Sequence, residues 1–563
     1  MKILNIKSLV IFTLIFVSVI FYTSVVTAKQ ESQYAIATAH TIATRAGETI
    51  LKQGGNAFDA AVAISATLAV VEPYSSGIGG GGFWLLQNNK TKKNIMIDGR
   101  EKAPLAATAK LYQDKNGKII EGLSINGAMA AGIPGEPAAL VHIAKEYGRL
   151  PLSKSLAPAI KAAREGFKVS QIYWRMAGFR LKALQQSPAA AKIFLLRNKV
   201  PHIGHTIKQS DLANTLEAMA EFGMAGFYKG GVAKALVAGT RQAGGIWSLD
   251  DLAQYKIVER QPIVGDYKGF KIISAAPPSS GGIALVTMLN ILEKYDLVNM
   301  KKSERMHITV EAMRRAYRDR AEFLGDPDFV SIPTDKLISK SYATKLNQSI
   351  SLLKSTASSE LKPASPLAEG QHTTHFSVVD KEGNKVSATL SVNYPFGSCF
   401  VPPGTGVLLN DEMDDFSSKP GVPNVYGLVG NEKNAIEGGK RMLSSMSPTI
   451  VENTKNNDYA VIGTPGGSRI ITMVLHGILG FTENFSAQDI VNLPRYHHQY
   501  LPDSIQVEPE MISEDTRAEM LSKDHQLKNL DSRYGNMQIV INKNNKLSAA
   551  SDSRGEGISI VKR

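Results

Sequence analysis

The first part of the chain shows apolar and small residues at helical spacing. Residues 35–71 show this spacing, and residues 37–73 read ATAHTIATRAGETILKQGGNAFDAAVAISATLAVVEP. A Gly-Gly-Asn break in this run predicts two helices, the second beginning near Ala57 and ending before Pro73. A glycine-rich run at 79–82 follows, and the apolar residues at 83–87 predict a strand. We interpret the four glycines as a place of close backbone packing.

The middle of the chain is predominantly helical in pattern. Residues 134–245 read as mostly helical, with GRLPLSKSLAPAIKAAREGF as the clearest amphipathic piece, and the arginine-dense stretch 304–323 predicts a further helix. Residues 340–371 include SISLLKSTASSELKPASPLAEGQ, which is rich in Ser, Lys, Ala and Pro. This composition predicts an exposed, flexible loop that ends directly before His372 and Thr373.

The periodicity changes to two immediately after this loop. Residues 374–380 and 385–392 alternate around a Lys-Glu-Gly-Asn turn, which predicts a β-hairpin. Counting back from the turn places Thr373 opposite the stretch from Ser391 to Asn393. A threonine at the sheet end would therefore lie beside a hydroxyl and an amide.

Thr373 has the chemistry of a nucleophile if the bond before it is cut. A threonine at a new N-terminus carries its hydroxyl beside a free α-amine, which takes the hydroxyl proton. We therefore predict that the protein cleaves its own His372–Thr373 bond. A Thr-Thr pair is also common in ordinary strands, so this prediction depends on the neighbouring motifs.

The composition fits a large globular protein, and its N-terminus indicates export. The 563 residues are 43% hydrophobic, and length alone suggests about three or four domains. Lys2 and Lys7 precede an apolar run over 9–26 that ends in Val-Thr-Ala, which predicts a signal peptide cleaved after Ala28. An uncleaved membrane anchor is the alternative. No later segment is long and apolar enough to span a membrane.

Cysteine usage and charge exclude several classes of function. Cys399 is the single cysteine, which rules out an intrachain disulfide and argues against a cysteine nucleophile or a zinc cluster. Residues 29–372 hold 44 basic and 29 acidic residues, a net +15, whereas 373–563 hold 18 and 22, a net −4. We expect no nucleic-acid partner, since no Lys/Arg block is interleaved with aromatic residues. The opposite charges suit two segments that stay associated after a cut.

An ordered set of motifs resembles the γ-glutamyltransferase (glutathione hydrolase) family of N-terminal nucleophile hydrolases. The motifs are GGNAFDAAVA, VEPYSSGIGGGGF, IDGREKAP, TTHFSVVD, NDEMDDF, LSSMSPTI and GTPGGSRII, and they extend over essentially the whole chain after residue 28. The resemblance implies an α+β fold, a four-layer αββα sandwich built jointly by segments 29–372 and 373–563 of 344 and 191 residues. Both segments would remain in one heterodimer without a stable membrane span.

The resemblance also assigns the residues that hold the substrate. Arg100 matches the arginine that binds the substrate α-carboxylate, a group that suits the two parallel donors of a guanidinium. Ser444 and Ser445 match the hydroxyl pair that completes this pocket. Asn393, Glu412 and Asp415 match the residues that contact the substrate ammonium. Without the resemblance, the acidic run at 411–415 could be a solvated face or a calcium-binding loop, although the spacing of an EF-hand is missing.

Two positions differ from many bacterial members of the family. Glu412 stands where many carry glutamine, and Ser391 where many carry threonine. Both choices occur in animal enzymes of the family, so they bear on acceptor preference. Tyr426 matches a tyrosine of a lid loop in some bacterial members, which implies a covered pocket.

Gly466 and Gly467 match the oxyanion hole, where side-chain-free backbone lets N–H groups approach a developing negative charge. A tight turn is the alternative, and a phosphate loop is excluded because its Lys-Ser/Thr is absent.

The implied reaction needs no metal or organic cofactor. Thr373 would attack the γ-glutamyl amide of glutathione or a related compound, with Ser391 orienting the α-amine or hydroxyl. Water, an amino acid or a dipeptide would then resolve the γ-glutamyl ester. The resemblance favours a periplasmic enzyme, with secretion as an alternative. Two rivals remain: a cephalosporin (glutaryl) acylase of the same fold, and a secreted binding protein without catalysis.

Overall fold

The computed structural model describes residues 33–361, 373–509 and 511–563. The strands are β1 (Tyr34–Thr38), β2 (Gly81–Gln87), β3 (Asn94–Gly99), β4 (Phe167–Lys168), β5 (Thr206–Ile207), β6 (Val258–Arg260), β7 (Ile263–Tyr267), β8 (Phe270–Ser274), β9 (Thr374–Val379), β10 (Lys385–Ser391), β11 (Thr449–Asn453), β12 (Tyr459–Gly463), β13 (Tyr496–His497), β14 (Ile505–Val507), β15 (Leu527–Asn529), β16 (Gln538–Lys543), β17 (Lys546–Ser551) and β18 (Ile558–Lys562). The predicted signal peptide and the residues from 362 to His372 lie outside the described residues.

The α-helices of the described residues surround these strands. They are α1 (Thr41–Lys52), α2 (Ala57–Val71), α3 (Glu136–Glu146), α4 (Leu152–Glu165), α5 (Gln171–Phe179), α6 (Leu181–Gln186), α7 (Pro188–Phe194), α8 (Ser210–Phe222), α9 (Met224–Tyr228), α10 (Gly230–Gln242), α11 (Leu249–Ala253), α12 (Gly281–Leu292), α13 (Lys302–Phe323), α14 (Thr334–Leu337), α15 (Lys340–Gln348), α16 (Ile470–Thr482), α17 (Ala487–Asn492) and α18 (Glu514–Ser522). None of these helices has the length and apolar character needed to cross a membrane.

Two antiparallel sheets form the centre of the molecule. One has seven strands in the order β18-β1-β9-β10-β2-β3-β6, and the other has six in the order β17-β16-β12-β11-β8-β7. Strands from both sides of residue 372 occur in each sheet. The predicted segments therefore share one core, and the domain count suggested by length is wrong.

Helices cover the outer face of each sheet, which completes four layers. Helix α2 is buried along its whole length and packs on β9 and β10. It begins with a capping box. The Asn56 side-chain oxygen accepts hydrogen bonds from two backbone N–H groups, and the Asp59 carboxylate accepts one from the backbone N–H of Asn56. Helices α12 and α16 pack on the six-stranded sheet. The predicted αββα architecture is confirmed.

The interface between the sheets is apolar at one end and polar near residue 373. Leu85, Ile273, Val461 and similar residues fill the apolar part. Closer to the site, the buried Ser377 hydroxyl donates to the carbonyl of Gln538 at 3.2 Å, and the Ser387 hydroxyl donates to that of Ile462 at 3.1 Å. These bonds satisfy polar groups that would otherwise be costly to bury.

Two predictions of local structure are wrong. Residues 34–38 form β1 rather than extending the helical pattern, because they pair with β9 and β18 at the buried centre of the sheet. Residues 340–348 form helix α15 rather than a flexible loop. The described residues that follow are held by tertiary hydrogen bonds, such as those from the Arg315 guanidinium to the Ser349 carbonyl at 2.8 Å and the Thr356 hydroxyl at 3.1 Å.

The glycine run 79–82 is packed against backbone, as predicted. A Cβ atom on Gly79 would lie 2.0 Å from the Leu408 carbonyl oxygen, and one on Gly80 would lie 2.1 Å from that of Ser391. This run therefore allows β10 and the loop after it to approach closely.

We expect Gly80→Ala to destabilise the protein by at least roughly 2 kcal/mol, because the backbone of Ser391 must move to admit the methyl group. The matched control is Gly178→Ala in α5, where an added Cβ meets nothing within 4 Å. The control should be neutral or slightly stabilising, since alanine favours helix. Thermal or denaturant unfolding measures both, and equal stability of the two variants would contradict the packing argument.

Candidate active site

Thr373 directly precedes β9 and lies beside the end of β10. The register pairs Thr374 with Leu390, so Thr373 is adjacent to Ser391, as the hairpin pattern predicted. Its side chain is buried, with 6% of the residue exposed. Strand β9, which follows the threonine, pairs with β1 on one side and β10 on the other, and this pairing fixes the direction in which the backbone leaves Thr373.

A tight turn after β10 brings Ser391 and Asn393 to the same place. The Asn393 backbone N–H donates to the Ser391 hydroxyl at 2.7 Å, and Asn393 has a left-handed φ of 74°. The Asn393 side-chain amide donates to the Asp411 carbonyl at 3.0 Å. The buried Tyr426 hydroxyl donates to the Asn393 carbonyl at 2.6 Å. Tyr426 therefore fastens its loop to the strand end beside the threonine.

Arg100 lies at the end of β3 with 1% of its surface exposed. Its guanidinium contacts a Glu412 oxygen at 2.5 Å and an Asp415 oxygen at 2.5 Å, and Glu101 lies at 3.5 Å. Burial opposes the charge on Arg100, but these carboxylates outweigh burial and raise its pKa. Burial also raises the pKa of the Glu412 carboxyl to about 7, against the attraction of Arg100.

The acidic run divides into two functional pairs. Glu412 and Asp415 face Arg100, whereas Asp411 and Asp414 accept hydrogen bonds from the backbone. Asp411 accepts from the Tyr394 amide at 2.9 Å, and Asp414 accepts from the Val425 amide at 2.8 Å. Within the described part of the chain, no His, Cys, Asp and Glu side chains are grouped to hold a metal ion.

Ser444 and Ser445 border the same cleft. The Ser444 hydroxyl accepts a hydrogen bond from the Met446 amide at 3.1 Å. The Ser445 hydroxyl is buried and has no hydrogen-bond partner among the described residues. This hydroxyl is therefore available to hydrogen-bond a group that enters the cleft.

Gly466 and Gly467 lie at the start of α16. Both have left-handed φ angles, 144° and 57°, which a side chain would disfavour. Both glycines are buried at a short 3-10 turn that leads into this 13-residue helix, near the positive end of its dipole. This arrangement suits an anionic oxygen beside Thr373.

Thr373 lies where two clefts meet. The smaller cleft has a volume of about 20 Å³ and is bordered by the residues predicted from the motifs: Arg100, Thr373, Ser391, Asn393, Glu412, Asp415, Tyr426, Ser444, Ser445 and Gly467. The larger cleft, of about 390 Å³, is bordered by Thr373 and Gly466 among others. The structure thus brings together every predicted site residue within the described ranges.

Glu72 is a buried neighbour of the site that the sequence analysis did not assign. It accepts a hydrogen bond from the Thr374 hydroxyl at 2.7 Å and borders the larger cleft together with Thr373. Burial raises the pKa of its carboxyl to about 7, although the bond from Thr374 acts in the opposite direction. Glu72 lies in the VEPYSSGIGGGGF motif, but its hydrogen bond with Thr374 depends on the packing of α2 against β9.

His375 is not placed for proton transfer at the threonine. It lies between the sheets, where Nδ1 forms a 2.8 Å hydrogen bond with the Thr389 hydroxyl. Burial lowers its pKa to about 3, so the ring is neutral.

A four-layer sandwich with a threonine before a central strand defines the class of N-terminal nucleophile hydrolases. The gamma-glutamyltranspeptidase family model matches residues 43–561, and the chain belongs to this family.

Curated relatives match most of the chain. The glutathione hydrolase proenzyme of Pseudomonas sp. (strain A14) is 45% identical over 487 residues, which cover 86% of this chain and 84% of the relative. The glutathione hydrolase proenzyme of Escherichia coli (strain K12) is 41% identical over 527 residues, which cover 93% and 90%.

Two solved structures are also similar. The gamma-glutamyltranspeptidase of Helicobacter pylori is 42% identical with a TM-score of 0.57, covering 58% of this chain and 94% of that chain. The cephalosporin acylase of Bacillus halodurans is 27% identical with a TM-score of 0.82, covering 94% of this chain and 96% of that chain.

We expect Glu72→Gln to change stability in a pH-dependent way. The folded-state pKa of about 7 lies above the ordinary 4.5, so this carboxyl's contribution to stability falls as pH rises between these values. The variant should gain up to roughly 3 kcal/mol relative to wild type between about pH 5 and pH 8.

Melting temperatures at about pH 5 and about pH 8 test this prediction. Both proteins, the one with Glu72 and the one with Glu72→Gln, also carry Thr373→Ala, so that each stays one chain. The exposed Glu146→Gln is the control and should show no such pH-dependent difference. If the stability difference between Glu72→Gln and wild type is the same at both pH values, the raised pKa of the Glu72 carboxyl is wrong.

Proposed function

We propose that the protein is a self-processing γ-glutamyltransferase and glutathione hydrolase. The observation that carries this proposal is the pairing of Arg100 with Glu412 and Asp415 in one buried cleft beside Thr373. A γ-glutamyl group carries an α-carboxylate and an α-ammonium on one carbon. Its charges complement those of this cluster.

Binding would exchange one set of ion pairs for another. The substrate carboxylate would bind the Arg100 guanidinium and the Ser445 hydroxyl, with Ser444 beside it. The ammonium would bind Glu412, Asp415 and the Asn393 side chain. The lack of a partner for Ser445 in the described residues supports this arrangement. Tyr426 would close the cleft over the bound group.

Self-cleavage would begin with attack of the Thr373 hydroxyl on the carbonyl of His372. The acyl group moves from nitrogen to oxygen, which forms an ester and frees the Thr373 α-amine. Water then hydrolyses the ester, leaving a carboxylate on His372 and restoring the hydroxyl. The products are residues 29–372, after removal of 1–28, and residues 373–563. Because each of these two chains would contribute strands to both sheets, we expect them to stay associated as a heterodimer.

Turnover would use the same hydroxyl on the γ-carbonyl of the donor. The α-amine takes the hydroxyl proton, Ser391 orients this group, and Gly466 and Gly467 donate to the oxyanion. The C–N bond breaks, the leaving amine takes the proton, and a γ-glutamyl ester remains on Thr373. Water gives hydrolysis, and an amino acid or dipeptide gives transfer. We place the enzyme in the periplasm.

Self-cleavage predicts two chains on a denaturing gel. Wild-type protein should separate into fragments of 344 and 191 residues after removal of the first 28, whereas Thr373→Ala should remain one chain. Thr373→Ser keeps a hydroxyl and should still be cut. The prediction fails if wild type and Thr373→Ala give the same single band.

The γ-glutamyl clamp predicts selective loss in Asp415→Asn. We expect kcat/KM for a chromogenic γ-glutamyl anilide to fall about 100-fold, since a charge-assisted hydrogen bond is worth up to about 3 kcal/mol. Hydrolysis without acceptor and transfer with glycylglycine are measured on the same cleaved enzyme. Self-cleavage is the control, because it needs Thr373 and no substrate ammonium.

A glutaryl amide, which lacks the ammonium, tests the acylase alternative that the cephalosporin acylase structure favours. The γ-glutamyl assignment fails if cleaved wild type releases no anilide, or if it prefers the glutaryl compound. Binding of γ-glutamyl compounds without any release would instead indicate a binding protein.

A further inference from the structure

A polar cavity lies between the two sheets at the end opposite Thr373. Its volume of about 540 Å³ falls in the range of sites that hold small molecules, about 300–1,000 Å³. Lys385 borders this cavity from the first position of β10, whereas Ser391 occupies the last position of the same strand, beside Thr373. The strand between these two positions spans about 20 Å. The cavity is therefore separate from both clefts at the nucleophile.

The amine of Lys385 faces this cavity. Its Nζ donates to the Gln87 side-chain oxygen at 2.5 Å and lies 4.2 Å from the centre of the Tyr459 ring. Gln87 in turn donates to Glu452 on the facing sheet at 2.9 Å. All four residues border the cavity, so the contacts of the amine belong to the cavity wall. The side chain is nevertheless withdrawn from bulk water, with 4% of the residue exposed.

The charge of this amine has no carboxylate in contact with it. Among residues 33–361, 373–509 and 511–563, none forms a salt bridge with Lys385, and the Gln87 amide stands between its amine and Glu452. Burial lowers the pKa of Lys385 from its ordinary 10.5 to about 8, although the Glu452 carboxylate acts in the opposite direction. A fraction of the amine is therefore neutral and nucleophilic at about pH 7. The other ionisable groups around it are Lys271, Asp458 and Tyr459 from the six-stranded sheet and its turns, and Lys92 and Asp380 from the turns of the other sheet.

The wall of the cavity is rich in amides. Seven of its sixteen residues are asparagines, and they come from both sheets and their turns. An amide offers N–H donors and an oxygen acceptor, which together match the hydroxyl groups of a polyol. A neutral lysine amine is a nucleophile toward a carbonyl carbon. A small molecule that carries hydroxyl groups and an aldehyde matches both features.

We propose that this cavity is a site for a small hydroxyaldehyde, which Lys385 holds covalently as an imine. The nitrogen lone pair attacks the aldehyde carbon, and one N–H proton moves to the new alkoxide oxygen. The second N–H proton and the hydroxyl then leave as water while the C=N bond forms. One amine and one aldehyde thus give one imine and one water, without an oxidant or reductant. The site does not depend on the proposed function, because Thr373 lies at the other end of the sandwich.

Labelling of the whole protein with glyceraldehyde tests this site. Cyanoborohydride in the same solution reduces each imine, and peptide mass spectrometry gives the labelling rate at every lysine. The internal control is Lys381, an exposed lysine in the turn before β10. At about pH 7 we expect Lys385 to be labelled at least about 10-fold faster than Lys381, because the buried amine is neutral more often. In denaturant the two lysines should react at equal rates.

A matched exchange of two residues tests the role of the unpaired charge. Gln87→Glu/Glu452→Gln keeps the total charge and the side-chain lengths, but it moves a carboxylate into contact with the Lys385 amine. This ion pair would hold the amine protonated, so labelling of Lys385 should fall at least about 10-fold. Glu452→Gln alone removes the more distant carboxylate and should leave labelling at or above the wild-type rate. Melting temperatures show whether each variant is folded.

A second aldehyde tests the role of the amides. Propanal has the three carbons and the aldehyde of glyceraldehyde but lacks its hydroxyl groups. The ratio of Lys385 labelling to Lys381 labelling should be about 5-fold higher with glyceraldehyde, which corresponds to about 1 kcal/mol for one retained hydrogen bond.

Three outcomes would overturn the proposal or one of its parts. The site is wrong if folded wild type labels Lys385 no faster than Lys381. The nucleophilic role of the unpaired amine is wrong if the exchange variant is labelled as fast as wild type. Selection of a hydroxyaldehyde is wrong if both aldehydes give the same ratio. Release of the γ-glutamyl anilide is measured separately, so a failure here leaves the proposed function untouched.

Discussion

The pairing of β9 between β1 and β10 is the constraint on which the rest of the site depends. It places Thr373 at the end of the central strands, beside Ser391, with no freedom to shift by one residue. A slip of one position would turn every side chain of β9 to the opposite face. His375 would then leave the polar space between the sheets, and Thr374 would lose Glu72.

The second constraint is electrostatic. Arg100, Glu101 and Glu412 are almost fully buried. Burying an unpaired charge costs free energy, and the ion pairs within this cluster offset part of that cost. Burial raises the pKa of both glutamates, and repulsion from the neighbouring carboxylates acts in the same direction, against the attraction of Arg100. A ligand that brings one positive and one negative charge can enter such a cluster without changing its total charge. This is the physical basis for the proposed selection of a zwitterionic group.

The local pattern predicted most of the elements near the site. The hairpin, its turn, its register and helix α2 follow from period, capping residues and glycine positions, all of which are short-range signals. The motifs also gave the residues of the smaller cleft. The acidic run was different, since four neighbouring carboxylates look alike in sequence, and only the fold turns Glu412 and Asp415 toward Arg100 while Asp411 and Asp414 hold backbone amides.

The sequence by itself predicted Thr373 as the nucleophile, and it determined the strand pairing that positions this residue and the family to which the chain belongs, because these depend on neighbouring residues and contiguous motifs. It did not determine that 340–348 is helical, that Glu72 reaches Thr374, or that a second cleft opens at Thr373 with Arg175 and Arg533 on its wall. The last two features join residues hundreds of positions apart. Only the packing of α2, α5 and the two sheets brings them together, and periodicity carries no information about such distant contacts.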